Sequence, residues 1–271
     1  MQKLTATLCL TIAVFLGSAG VSDSADYQKG LAAYKSGDFA TTLREWTPLA
    51  EQGDARAQFN IGTMYFRGRG VPKDNKTAVK WFRLSAEEGY ANAQFSLGVM
   101  YDNGKGVPKN STSAVKWYSL AARQGNASAP HNLGVMYRTG NGVPKDYKTA
   151  LKWYRIAAER GNAGSAFTLG LMYNNGDGVS QDNKEAEKWF RLAAEQGNIS
   201  AQFNLGKMYY FGNGVQQDDV YAHMWWNIVA SSGDKDAVTL KDAVSKRMTS
   251  SQIEKAQDLA RECAHKKYKG C

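Results

Sequence analysis

The sequence predicts an all-α solenoid of stacked helix pairs, and three observations carry that reading. Leu/Ile-Gly pairs end at Gly62, Gly98, Gly134, Gly170 and Gly206, each 36 residues after the last. Two aromatic columns keep the same step: Tyr65, Tyr101, Tyr137, Tyr173 and Tyr209, then Trp81, Trp117, Trp153, Trp189 and Trp225. An elbow recurs as GRGVPKD, GKGVPKN, GNGVPKD, GDGVSQD and GNGVQQD. A fixed step of this length marks a unit that cannot bury its apolar face alone and is stabilised by stacking on its neighbours.

Residues 1–19 read as a signal peptide: Lys3 precedes an apolar run from Leu8 to Leu16, and Gly17-Ser18-Ala19 offers cleavage after Ala19. The expected destination is the periplasm or the exterior of a Gram-negative bacterium. No stretch approaches the roughly 20 apolar residues of a spanning helix, so an integral membrane protein is not expected.

Residues 26–53 form a shortened pair, with Gly30, Tyr34 and Trp46 in the repeat roles and Ser36-Gly37-Asp38 between its helices. Five full repeats are expected at 54–89, 90–125, 126–161, 162–197 and 198–233. In the first, Ala57, Ile61, Met64 and Tyr65 share one helical face, and Ala78, Trp81, Phe82 and Ala86 share another. Gly68 and Gly70 can end the first helix at positive φ, Pro72 blocks its continuation, and Asp74 is placed to cap the second. Gly89, Gly125, Gly161 and Gly197 stop the second helices. Gly62 and its equivalents cost about 1 kcal/mol each inside a helix, which implies close approach beneath a large Trp or Tyr of the packed pair. Residues 234–271 form a helical cap. There Ser251 and Glu254 suggest a capping box, and Ile253, Ala256, Leu259, Ala260 and Cys263 form one apolar face.

With 43% hydrophobic residues in 271, the chain can bury a core. Its formal charge of +9 comes from basic residues spread along the sequence, giving a basic solvated surface that admits an acidic partner or anionic surface. Export argues against nucleic acid as the partner. Cys9 falls in the leader, so Cys263 and Cys271 are expected to pair in an oxidising compartment. The rival reading of CAHKKYKGC, a metal held by Cys263, His265 and Cys271, lacks a fourth ligand. No metal and no cofactor are expected.

The pattern AQFNLGxMYxxGxGVPKDxxxAxxWxxxAAEQGN resembles the Sel-one-like repeat (SLR) family, a relative of the tetratricopeptide repeat (TPR), over nearly all of Asp26 to Gly233. The resemblance implies a right-handed α/α superhelix whose first helices line a concave surface holding another protein or peptide. It implies a non-enzymatic scaffold or adaptor, expected to be a monomer. Exported bacterial relatives also include immunity proteins, so an inhibitor of a toxin or enzyme is the alternative. Cysteine-rich relatives have been linked to weak β-lactam hydrolysis, but they carry a cysteine pair in nearly every repeat. This chain has one pair, in the cap, which departs from that branch.

The elbow lacks the Gly-Lys-Ser/Thr ending of a phosphate loop, and five copies mark it as a turn. His131, His223 and His265 are the only histidines. His131 takes a position held elsewhere by Phe59, Phe95, Phe167 and Phe203, as a packing residue would. Glu51, Glu87, Glu88, Glu159 and Glu195 read as solvated helix ends. Lys80, Lys116, Lys152 and Lys188, with Arg83, Arg155 and Arg191 one turn on, read as an outer column.

Transferring the concave register of the TPR relatives gives Asn60, Thr63 and Arg67 as the first binding row. The rows that follow are Ser96, Val99 and Asn103; Asn132, Val135 and Thr139; Thr168, Leu171 and Asn175; and Asn204, Lys207 and Phe211 with Tyr210. Asn60, Asn132 and Asn204 could bond either a bound peptide or a neighbouring turn. These rows vary while the frame repeats, so the frame is expected to serve packing and the rows a partner.

Overall fold

The computed structural model describes residues 25–271, so the expected signal peptide, residues 1–19, and Cys9 lie outside the described residues. Among the described residues there are fourteen helices and no strand. A leading pair, α1 (Tyr27–Ser36) and α2 (Phe39–Glu51), precedes five longer ones. These are α3 (Ala55–Arg67) with α4 (Asn75–Glu87), α5 (Ala91–Asn103) with α6 (Ser111–Arg123), and α7 (Ala129–Thr139) with α8 (Tyr147–Glu159). The series continues with α9 (Ala163–Asn175) and α10 (Asn183–Ala194), then α11 (Ile199–Phe211) and α12 (Asp219–Ala230); α13 (Lys235–Ser245) and α14 (Ser250–His265) close it. From α1 to α13 each helix packs on the next, and α14 returns to pack on α12. The chain is an all-α solenoid.

Each elbow is chemically specified. Asp74 accepts hydrogen bonds from the N–H groups of Lys76 and Thr77, and Asp146, Asp182 and Asp218 cap α8, α10 and α12 in the same way. Such a cap contributes about 1 kcal/mol. The Thr77 hydroxyl and these backbone donors hold the Asp74 carboxyl below its usual range. Gly68 ends α3 at φ 69°, and Gly70 has φ 71°. The two glycines do different work. A Cβ on Gly70 would collide with Phe39 at the start of α2, and one on Gly106 with the Asn75 carbonyl at the start of α4. The second glycine therefore lets each elbow rest on the preceding pair, an inter-repeat contact that only a residue without a side chain permits.

The glycine inside each first helix is covered by an aromatic ring of its partner helix. A Cβ on Gly98 would lie 2.7 Å from the Tyr118 ring, and one on Gly62 2.8 Å from the ring of Phe82. Tyr154, Phe190 and Trp226 cover Gly134, Gly170 and Gly206, and Trp46 covers Gly30. In the full repeats the covering residue is the one after the tryptophan column: Tyr118, Tyr154 and Trp226 are of the expected Trp-or-Tyr type, whereas Gly62 and Gly170 lie beneath Phe82 and Phe190. A helix carries successive side chains about 100° apart, so neighbours serve different interfaces. Trp81 belongs with Trp46, Ala50, Ala57, Ile61 and Met64, and Trp117 packs on the cluster holding Ala78, Phe82 and Leu97. The tryptophans thus bind each pair to the one before.

Polar stitches run alongside. Gln58, Gln94 and Gln202 are buried, and each donates to a carbonyl in the last turn of the preceding second helix, Ala50, Ala86 and Ala194, at 3.0 to 3.2 Å. Each of those carbonyls also accepts the N–H of the glycine that ends its helix, Gly53, Gly89 or Gly197, so the glutamine adds a second bond that ties one pair to the next. Arg83, Arg155 and Arg191 donate to the hydroxyls of Tyr101, Tyr173 and Tyr209 at 2.7 to 2.8 Å. The arginine column is therefore partly structural, and α6 carries Ser119 in that place.

The cap departs from expectation at one point. Helix α14 is capped by Thr249, whose hydroxyl accepts from the Gln252 N–H while the Gln252 side chain accepts from the Thr249 N–H. The capping box is therefore Thr249/Gln252 and not Ser251/Glu254; the helix starts earlier and leaves both of those residues exposed on it. Ala256, Ala260 and Cys263 are buried on its apolar face. Cys263 is bonded to Cys271 with their Cα atoms 5.6 Å apart. The tail this forms reaches α10, where the Gly270 N–H donates to Glu195 at 3.2 Å. Glu195 is consequently a tether for the tail, unlike the exposed Glu51, Glu87, Glu88 and Glu159.

His131 is partly buried, as a substitute for the repeated phenylalanine. Its ring lies 5.8 Å from that of Tyr154, and Nδ1 is 2.8 Å from the Ser165 hydroxyl oxygen. Burial, reinforced by Arg138, depresses its pKa, and burial does the same to the enclosed His223. A depressed folded-state value means the unfolded chain takes up protons first, so these two groups cost stability as pH falls below about 6.5.

Two outcomes are expected. Gly98→Leu lowers the melting temperature far more than Lys109→Leu, because overpacking against Tyr118 costs about 1–3 kcal/mol or more and Lys109 is exposed. Equal melting temperatures would remove the packing role of the glycine. His131→Phe shrinks the drop in melting temperature between pH 7 and pH 5; an unchanged drop would show that protonating His131 carries no folding cost.

Candidate functional site

The first helices of the pairs share one face of the solenoid, and two grooves open on it. The larger, about 390 Å³, lies between α1, α3 and α5. Phe59, Phe66, Phe95 and Val99 form apolar walls, with Trp46 and Phe82 from the second helices behind them. Asn60, Thr63 and Ser96 add polar atoms, and the exposed guanidinium of Arg67 stands at the rim. Thr63 and Ser96 contribute short side chains to its lining. A concave, largely apolar site with a few polar groups is the usual form of a recognition pocket.

The second groove, about 350 Å³, lies between α9, α11 and α13. Phe167, Phe203 and the half-exposed Ile199 supply its apolar part, and Asn204, Lys207, Asp234 and Asp236 its polar part. The Lys207 ammonium stands 5.0 Å from the Phe203 ring centroid, which leaves its charge at the surface of the groove. Phe211 lies at the end of α11 with 64% of its surface exposed, edge-on to Tyr210 at 4.9 Å. Tyr210 is itself held between Trp226 and the guanidinium of Arg247, which pairs with Asp219. It is thus a support for Phe211 more than a free contact.

The structure brings Asn60, Thr63, Arg67, Ser96 and Val99 into the first groove and Asn204 and Lys207 into the second. It does not gather the others. Thr139 and Thr168 turn their hydroxyls to carbonyls of their own helices, as Thr63 does inside the groove, and Asn103 donates to the Val99 carbonyl. Val135 and Leu171 pack against the core, and Asn132 lies near the Tyr118 hydroxyl. Asn175 lies exposed at the end of α9, outside both grooves. The asparagines resolve toward internal bonding: Asn60 donates to the Tyr27 hydroxyl at 2.9 Å and Asn204 to the Ser200 carbonyl at 2.7 Å.

Phe66, Ile199, Asp234 and Asp236 also line the grooves, outside the register taken from the TPR relatives. Phe66 had a visible signal, since the same column reads Asp102, Arg138, Asn174 and Tyr210 in later repeats. Asp234 and Asp236 enter only because α13 continues the stacking beyond the last full repeat. Burial pushes the tyrosine hydroxyls of Tyr118 and Tyr154 up, so both stay neutral beneath the face. Among the described residues, no group of three or more His, Cys, Asp or Glu is arranged to hold a metal, and no helix is long and apolar enough to cross a membrane.

Comparison with known proteins agrees with this architecture. The model of the Sel1 repeat matches residues 55–90, 91–126, 127–162, 163–198 and 199–234. A search of the curated proteins finds no match. Among solved structures, a Sel1 repeat protein from Oxalobacter formigenes is 33% identical with a TM-score of 0.75, over 88% of this chain and 99% of that one. The c5321 protein, described as a protective antigen of uropathogenic Escherichia coli strains displaying an SLR fold, is 39% identical with a TM-score of 0.73. That match covers 81% of this chain, which spans 48% of the Escherichia coli protein. With five matched repeats and two relatives of this identity and coverage, the chain belongs to the Sel1 repeat family.

Proposed function

We propose that this protein is an exported, non-enzymatic scaffold that holds a partner protein or peptide in the grooves of its first-helix face. The observation that carries the reading is the coincidence of a constant frame with a variable face. Gly62, Gly98, Gly134, Gly170 and Gly206 repeat with their covering rings, yet the rows beside them run from Asn60, Thr63 and Arg67 to Asn204, Lys207 and Phe211. A groove whose walls are set by helix packing needs little ordering on binding, which reduces the cost of association. Export is supported by the leader-like first 19 residues and by the bonded Cys263 and Cys271, a pairing favoured outside the cytoplasm.

Each groove has a distinct handle. In the first, an aliphatic or aromatic side chain would enter between Phe59, Phe66 and Phe95 while a carboxylate or carbonyl met Arg67. In the second, Phe211 and Ile199 offer exposed apolar contacts near Lys207. Aromatic and arginine residues of this kind dominate interface energetics.

Peptides selected from a display library on the wild-type chain provide the test. Ser96→Trp, which fills the first groove, is expected to weaken its binders tenfold or more, and Lys207→Ala with Phe211→Ala to weaken binders of the second. Affinities equal to wild type in both variants, with unchanged melting, would overturn the assignment of this face.

A further inference from the structure

The lysines and arginines run along the whole chain, but the carboxylates that would balance them do not. Residues 55–162, the first three full repeats, hold 17 of the 34 basic residues and only 6 of the 25 acidic ones, a net charge of +11. The remainder of the chain is net −2. Eight of those 17 lie on the second helices α4, α6 and α8, where the only carboxylates are Glu87 and Glu159 at the helix ends. On α4 the series Lys76, Lys80 and Arg83, and on α8 the series Lys148, Lys152 and Arg155, follow i, i+4, i+7 spacing along one helical face, and Lys116 and Arg123 do so on α6. These are second helices, opposite the grooves, and Lys80, Lys116 and Lys152 are all exposed.

Helix α10 supplies the internal contrast. It carries the same series, Lys184, Lys188 and Arg191, but Lys188 pairs with Glu185 at 2.9 Å and Arg191 with Glu187 at 2.7 Å. In α4 those two glutamate positions are Thr77 and Val79, in α6 Ser113 and Val115, and in α8 Thr149 and Leu151. Lys80, Lys116 and Lys152 accordingly have no carboxylate partner among the described residues, and Arg83 and Arg155 bond only neutral tyrosine hydroxyls. A solenoid that could have been neutralised as in its fourth repeat is left positive over the first three.

We propose that the second-helix face of α4, α6 and α8 docks the protein on an anionic phospholipid surface. The chemistry of the face selects a headgroup layer over an acidic protein. Its cations stand on separate flexible lysine stems, the two grooves lie on the opposite face, and Leu84, 44% exposed, is the one large apolar side chain exposed on a second helix among the described residues. Protein partners draw their energy from desolvated anchors, which this face lacks. An anionic bilayer needs only a field of cations, and each lysine held near it adds to the attraction. Attachment is peripheral and weakens with salt, because such charges are screened over about 10 Å at 0.1 M. The grooves on the other side would remain open while the protein is docked.

Co-sedimentation of the purified chain with vesicles tests this directly. Vesicles of phosphatidylglycerol and phosphatidylcholine in equal parts are expected to bind the wild type at low salt, and vesicles of phosphatidylcholine alone to leave it in solution. Lys80→Glu with Lys116→Glu and Lys152→Glu should weaken binding at least tenfold while preserving the helical circular dichroism signal and melting temperature. Lys188→Glu with Lys184→Glu, the same change in α10, and the groove variant Phe211→Ala should bind nearly as the wild type does. The proposal fails if anionic vesicles bind no better than neutral ones, or if the α10 variant loses as much as the triple variant. It fails equally if polyglutamate binds the face saturably while the vesicles do not, which would make the surface a protein site.

Discussion

The structure depends on one repeated contact, an aromatic ring seated on a helical glycine. Phe82 on Gly62, Tyr118 on Gly98, Tyr154 on Gly134, Phe190 on Gly170 and Trp226 on Gly206 bring the two helices of each pair closer than any side chain would allow. The glycine costs helix propensity, about 1 kcal/mol, and the ring more than offsets it by burial. That contact fixes the separation within a pair. The tryptophan one position earlier then faces the preceding pair, so a two-residue aromatic unit sets both the geometry of the repeat and the stacking of repeats.

Because packing is settled by those positions, the rows beside them are released from it. Thr63, Ser96 and Val99 line a groove, while Val135 and Leu171 pack against the core. The proposed function uses the grooves that such residues line. The same logic extends to the outer side, where positions such as Thr77 and Glu185 are equivalent in packing but opposite in electrostatic consequence.

The fold was legible in the sequence because stacking forces a period, and a period of 36 residues in glycine, tyrosine and tryptophan has no simpler cause. The elbow caps and the packing role of His131 followed from local chemistry. The errors arose where two adjacent residues of similar type compete. Sequence could not say whether Trp81 or Phe82 covers Gly62, nor whether Thr249 or Ser251 opens α14, since a one- or two-residue shift leaves composition unchanged. The site was less legible than the fold. Asn60, Thr63, Arg67, Ser96 and Val99 meet in one groove, but Thr63, Asn103, Thr139 and Thr168 all spend side-chain polar atoms on their own helices. Hydrogen-bond choice depends on atoms that only the folded helix brings into reach.

The separation of frame from face is the central claim, and a complete single-substitution scan of residues 55–234, read out by protease resistance, tests it most directly. The account predicts that Gly62, Gly98, Gly134, Gly170, Gly206 and their covering rings tolerate almost nothing, while Thr63, Arg67, Ser96, Lys207 and Phe211 accept most residues without loss of folding. Equal tolerance at the two sets of positions would contradict it.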